Sequence, residues 1–356
     1  MKYEPIHYHD YLKLGPLLNL QERRSQNLGR PAHDEMLFIT VHQTYELWFK
    51  QILFELQMVQ NVFSQGTIEE REMGRAVHHL ERIGKIQNFI NGQIAVLESM
   101  TPMDFLEFRD MLYPASGFQS VQWRLIETLL GLKSESRQNY NQEPFWKSLT
   151  PELQVEIEKA LKAPSLFDLL EKWLERTPFQ SVFWQQFEKA LLDLFEEDRK
   201  AVNMNPRLSD SDKARNFEII ETNLKNMRAL FHEQDFKILH EDGFFRMSQK
   251  AILAALFIQI YRDEPIFQMP FRLLQSLLDI DEAMTQWRSR HVQMVHRMLG
   301  RKIGTGGSSG HQYLAATVDK HKIFTDLFNL TTFLLPRSRV PSLPPEIQKK
   351  MSYRLE

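Results

Sequence analysis

Three stretches of the 356-residue chain place side chains with chemical potential on one face of a helix. In Leu37-Phe-Ile-Thr-Val-His-Gln-Thr-Tyr-Glu-Leu-Trp, Phe38 lies four residues before His42 and Glu46 four after it, so all three share a face. His42 and Glu46 could supply part of a two-His-one-carboxylate iron site, or be a hydrogen-bonded core histidine beside a surface carboxylate. The second stretch is Met103-Asp-Phe105-Leu-Glu-Phe-Arg109 followed by Pro114-Ala-Ser116-Gly-Phe-Gln-Ser. There an aromatic face and a guanidinium are again four residues apart. A planar fork of donors suits a substrate carboxylate, and equally an acid on a neighbouring helix.

The third stretch is Trp287-Arg-Ser-Arg-His291-Val-Gln-Met-Val-His296, in which His291 shares a face with Trp287 and Val295. A neutral imidazole on an apolar helix face is a good axial ligand for haem iron, and as often a structural residue. Directly downstream, five of the chain's 14 glycines lie between Gly300 and Gly310. Such a run brings backbone N–H groups close to a ligand or forms a flexible surface loop. It lacks the spacing of a phosphate-binding loop, and no strand precedes it.

These groups need elements to hold them, and the pattern predicts helices only. Apolar residues recur three and four apart from Asp34 to Phe63, at Leu37, Phe38, Val41, Tyr45, Trp48, Phe49, Ile52, Leu53 and Leu56. Similar patterns run over 68–98, 116–132, 153–161, 166–176, 182–200, 209–230, 248–261 and 269–298, and no period-two strand series stands out. The fold class expected is all-α. Residues 133–150 are polar and proline-interrupted, a connection between helical subregions, and those after Pro336 read as an exposed tail.

Composition narrows the chemistry. With 44 Lys and Arg against 46 Asp and Glu, a formal charge of −2, no global field favours nucleic acid or an anionic membrane. Absence of cysteine removes disulfides, thiolate catalysis, iron–sulfur clusters and covalent haem attachment. The longest apolar run, Ala251 to Ile258, is far below the roughly 20 residues that span a bilayer, and Met1–Leu14 has no signal-peptide core, so a cytoplasmic protein is expected.

Taken together, the stretches resemble the tryptophan 2,3-dioxygenases over nearly the whole chain. The likeness rests on Tyr8-His-Asp-Tyr11-Leu12, on the run from His33 through His42 to Lys50, and on Phe108-Arg109 with Pro-Ala-Ser-Gly-Phe-Gln-Ser. It continues in Phe267-Gln-Met-Pro-Phe, His296-Arg-Met-Leu-Gly, Gly304-Thr-Gly-Gly-Ser-Ser-Gly and Phe324-Thr-Asp-Leu-Phe-Asn-Leu. The resemblance implies an all-α homotetramer that binds one haem b per subunit and cleaves the indole C2–C3 bond of L-tryptophan with O2 to give N-formylkynurenine. It implies an arm over residues 1–30 packed on a neighbouring subunit, a catalytic domain over 31–335 and a tail over 336–356.

Carried over by motif, His291 becomes the axial iron ligand and His42 the partner of the indole N–H. Phe38 and Phe105 wall the ring, Arg109 holds the carboxylate, Thr305 meets the ammonium and carboxylate end, and Ser116 sits near haem and substrate. Tyr8, Tyr11 and Leu12 reach into a neighbour's pocket. Two positions depart from the family pattern: Ser289, where an aromatic residue is expected, and Phe105, where some members carry Tyr. The alternatives are a haem-dependent indole monooxygenase of the same family and a non-catalytic haem sensor.

Overall fold

The computed structural model describes residues 3–133, 137, 149–177, 183–300, 302, 317–318 and 320–351. Among the described residues every regular element is a helix, as the threefold and fourfold apolar spacing requires. The longest are Glu35–Phe63, Glu70–Leu97 and Pro265–Leu299. The last starts four residues ahead of the periodic pattern and carries Pro270 near its beginning. Helix Glu233–Glu241 was not expected from the pattern; it buries only Phe236 and Leu239.

The chain divides into two compact units. The first comprises Met1–Leu56, Arg82–Ala163 and Glu282–Lys322, and the second Gln57–Glu81, Pro164–Asp281 and Ile323–Glu356. The first unit's core takes Val41, Tyr45, Phe49, Ile52 and Leu56 from the His42 helix, with Ile83, Ile86, Ile90 and Ile94 from the next long helix. Full burial of an Ile or Leu contributes about 1.5–3 kcal/mol. The Tyr45 hydroxyl, carried into this apolar layer, donates to the Ile90 carbonyl at 2.9 Å, as a buried polar group must.

At the heart of the second unit, helix Gln249–Ile260 is buried almost all round, from Ala251 through Ile258. This is the longest apolar run of the sequence, and a helix without a polar face belongs inside a fold. Phe183 packs on it against Phe257 at 5.3 Å and Tyr261 at 5.0 Å. Two buried carboxylates close the unit through backbone N–H groups. Asp281 accepts from Ile323 and Phe324, each at 2.9 Å, and Asp326 from Arg246 at 2.8 Å and Met247 at 2.7 Å.

Two sequence expectations are refined. The described stretch after Pro336 is largely exposed, as expected of a tail, but is tied down at points: Leu343 is buried, the Tyr261 hydroxyl donates to the Pro341 carbonyl at 2.6 Å, and Arg339 meets Glu197 at 2.6 Å. Its prolines exclude a long helix but not packing, because side chains and carbonyls remain available. The helix expected over 116–132 is a 3-10 turn at Gly117–Gln119 followed by helix Val121–Leu130. Ser120 separates them because its hydroxyl oxygen caps the helix on the Trp123 N–H, while Gly131 ends it at φ 118°.

Candidate haem and substrate site

Helix Pro102–Arg109 is started by a local device. Thr101 and Asp104 form reciprocal side-chain to backbone bonds, and Pro102 occupies the first turn. The helix buries Phe108 completely and turns Phe105 and Arg109 along one side. Phe108 meets Phe38 at 5.6 Å and Phe105 at 5.4 Å, both edge-on, and so fixes the two rings to which the family resemblance gives the role of walls. Phe38 and Phe105 lie stacked at 5.8 Å. Arg109 is largely buried, with 14% of its side chain exposed, and approaches the exposed Asp110 only at 3.7 Å.

His42 sits over Phe38, ring centroids 4.0 Å apart. Its Nδ1 is 2.6 Å from the Phe38 carbonyl oxygen. A carbonyl can only accept, so Nδ1 carries the proton and the neutral ring presents Nε2 as an acceptor. The ring keeps accessible surface, yet desolvation by its surroundings lowers its pKa below the usual value, against the Phe38 bond and the Glu46 carboxylate, which raise it.

His291 behaves the same way. Its pKa is pushed down to about 4, first by desolvation and then by the charge of His42. The two imidazoles are therefore near enough to influence each other, from helices Glu35–Phe63 and Pro265–Leu299. Trp287, one turn earlier, stacks on His291 at 5.0 Å and 12°. Trp123 lies on Trp287 at 4.6 Å, and Phe49 on Trp123 at 5.2 Å, so an aromatic wall backs the imidazole.

A neutral, partly accessible imidazole with an aromatic wall behind it fits one axial position on a metal that already has its other donors. Among the described residues no group of three or more His, Asp or Glu could hold a bare metal ion. Glu46, one side of the possible two-His-one-carboxylate arrangement, is instead engaged by Ser120 at 2.6 Å and Gln122 at 2.8 Å. The donor set suits a macrocycle-bound iron.

The described part of the first unit thus brings Phe38, His42, Phe105 and Phe108 into contact, with His291 within electrostatic reach of His42 and Arg109 one helical turn beyond Phe105. Ser116 heads the turn before helix Val121–Leu130, its N–H donating to the Gln119 side chain at 3.1 Å. Tyr8, Tyr11 and Leu12 are exposed, at 74%, 69% and 40%, and none is buried in its own chain. Thr305 and the glycine-rich run around it lie outside the described residues.

Sequence reasoning missed Glu127. This fully buried carboxylate receives Arg288 at 3.1 Å, Arg124 at 3.1 Å, Arg137 at 3.3 Å and His321 at 3.3 Å. Burial alone would raise its pKa, but the His321 bond and the three guanidiniums hold it well below the usual carboxylate range. Arg288 is on the His291 helix, so the cluster anchors that helix one turn before the imidazole. No local spacing announces it, because Arg288 and His321 are 161 and 194 residues from Glu127.

A family profile described as tryptophan 2,3-dioxygenase matches residues 2–334. A tryptophan 2,3-dioxygenase of Bdellovibrio bacteriovorus is 58% identical over 357 residues, covering 99% of each chain. Those of Alteromonas mediterranea and Mus musculus are 45% and 43% identical; the first alignment covers 99% of each chain, the second 96% of this chain and 85% of the mouse protein. With the two imidazoles and the Phe38–Phe105 wall placed as described, the conclusion is that this chain belongs to the tryptophan 2,3-dioxygenase family.

Proposed function

We propose that the protein oxidatively cleaves the indole C2–C3 bond of L-tryptophan with O2, giving N-formylkynurenine, the first step of tryptophan breakdown by the kynurenine route. The observation that carries the reading is the His42 tautomer: Nδ1–H is committed to the Phe38 carbonyl, so Nε2 is left as an acceptor within electrostatic reach of His291. An indole N–H is the donor such a site takes. The overall reaction balances without a reductant, because both atoms of O2 enter the product as one C–C bond breaks.

His291 would hold the iron of a haem b, non-covalently since the chain has no cysteine. When bound in its ferrous form, that group supplies the activation of O2 that side chains cannot. The chain's own residues orient and enclose the amino acid. His42 fixes the indole nitrogen, positioning first and moving a proton second. Phe38 and Phe105 hold the ring plane, and Ser116 lies beside it. The Arg109 fork takes the carboxylate, and Thr305 meets the ammonium and carboxylate end.

The working assembly is a cytoplasmic homotetramer in which Tyr8, Tyr11 and Leu12 of one subunit contact the pocket of the next. Their exposure in the single chain supports this. Residues 1–30 are the arm, 31–335 the catalytic domain and 336–356 the terminal segment.

Absorption spectra of the purified protein, ferric and ferrous, with and without tryptophan, test cofactor, ligand and substrate together. Turnover under labelled oxygen then gives two labelled atoms in a ring-opened product. One labelled atom in an intact ring would identify an indole monooxygenase instead, and a haem-replete protein that leaves tryptophan unchanged would be a sensor.

A further inference from the structure

We infer that Glu46 is a positioning residue that ties the Ser116–Ser120 turn to the helix presenting His42, so that two walls of the pocket keep one fixed separation. The inference rests on the reading above, in which both walls face the amino acid. Glu46 follows His42 by one helical turn and uses both carboxylate oxygens across the gap between segments. Oε1 accepts the Ser120 hydroxyl at 2.6 Å, and Oε2 accepts the Gln122 amide at 2.8 Å. The same amide donates to the Glu46 backbone carbonyl at 2.7 Å.

The pull at Ser120 reaches Ser116 through a tightly bonded turn. The Ser120 N–H donates to the Gly117 carbonyl at 3.2 Å, and the Gln119 N–H to the Ser116 carbonyl at 2.9 Å. The Ser116 N–H closes the turn on the Gln119 side chain at 3.1 Å. Ser120 also caps helix Val121–Leu130, whose Trp123 is part of the wall behind His291. One carboxylate therefore links the His42 helix, the Ser116 turn and the start of the Trp123 helix. Charge-assisted bonds of this kind are stronger than neutral ones.

Glu46 has a second effect. Its negative charge raises the proton affinity of His42 against desolvation. The other ionisable groups on elements packed around that ring include His291 on helix Pro265–Leu299 and Asp104, Glu107 and Arg109 on the helix whose Phe105 and Phe108 touch Phe38. Replacing the carboxylate by an amide removes the negative charge that raises the proton affinity of His42, so the imidazole binds its proton less readily.

The test uses the haem-loaded full chain. Glu46→Gln, Ser120→Ala, Ser120→Thr and the double variant Glu46→Gln/Ser120→Ala are compared with the parent. The readouts are tryptophan affinity by visible titration, kcat and KM across about pH 5–8, and Tm. Ser120→Ala breaks the bond from Glu46 to the turn and leaves the charge and the Gln122 bonds: KM and Kd for tryptophan rise about ten- to hundredfold, with the acid limb of kcat/KM in place. Glu46→Gln gives a similar rise and also moves the acid limb to lower pH. Ser120→Thr keeps parental affinity, and the double variant binds tryptophan no worse than Glu46→Gln. Variants with a lowered Tm but KM and Kd within about twofold of the parent, or a Glu46→Gln acid limb that stays put, overturn the inference. A parent protein that does not bind or convert tryptophan instead overturns the functional reading.

Discussion

The indole of Trp287 lies parallel to the imidazole of His291, ring centroids 5.0 Å apart and planes 12° from parallel. Both project from one face of helix Pro265–Leu299, one turn apart. Trp123 covers Trp287 at 4.6 Å, so neither ring can turn without displacing the next. The orientation of the imidazole is thereby set before any ligand arrives.

That stack predicts distinct outcomes for its two members. His291→Ala removes the proposed axial donor, and the purified protein should neither retain haem nor turn over. Trp287→Leu keeps the donor but frees its plane, so haem still binds, with faster loss to an acceptor protein. It should also cost about 1–3 kcal/mol of folding stability. Haem-to-protein absorbance ratio and denaturant midpoints measure both, and a His291→Ala protein with full haem and an unchanged spectrum would remove His291 from the iron.

His42 should act through its acceptor nitrogen. His42→Phe preserves an aromatic ring against Phe38 but offers nothing to an N–H, and KM for tryptophan should rise about tenfold, the worth of one hydrogen bond. In the parent, protonation converts Nε2 from acceptor to donor. Because desolvation lowers the His42 pKa below 6.5, the midpoint of the acid limb of kcat/KM should lie below that of an ordinary imidazole. A 1-methyl tryptophan substrate, which has no N–H, should show no such difference between parent and variant.

Arg109 should govern affinity more than chemistry, because the substrate carboxylate is remote from the bond that breaks. Arg109→Ala leaves that carboxylate without its fork in a largely enclosed place and should cost about 2–5 kcal/mol of tryptophan binding. Arg109→Lys should recover only part of this, since an ammonium cannot pair bidentately. Titration of tryptophan into the ferric protein distinguishes the cases, and wild-type affinity in Arg109→Ala would eliminate the contact.

Glu127 predicts acid sensitivity of the fold. Its folded pKa lies well below the ordinary 4.5, so its contribution is complete above about pH 4.5 and is lost as pH falls through the folded value. Glu127→Gln leaves Arg288, Arg124 and Arg137 without their shared carboxylate and should destabilise by about 3–5 kcal/mol. Denaturant unfolding at pH 7 and at about pH 3 should show the variant's deficit shrinking in acid, and a deficit that is constant with pH would contradict the ionised state.

The helices were legible because they depend on local spacing, while the roles of the wall residues and the two histidines are implied by the family resemblance and not by spacing. Phe38, His42 and Glu46 share a face by the geometry of 3.6 residues per turn, and so do Phe105 with Arg109 and Trp287 with His291. Family membership was equally legible, carried by separated motifs in order. The tautomer of His42, the occupation of Glu46 by Ser120 and Gln122, and the Glu127 cluster were not legible. The Glu46 bonds and the Glu127 cluster need partners from distant parts of the chain, and the His42 tautomer turns on the ring's orientation toward a carbonyl four residues away, which spacing alone does not encode. Sequence periodicity decides which side chains share a face of one helix; only packing decides what that face meets, because hydrogen bonds and desolvation act through space over a few ångströms and are indifferent to how far apart their partners lie along the chain.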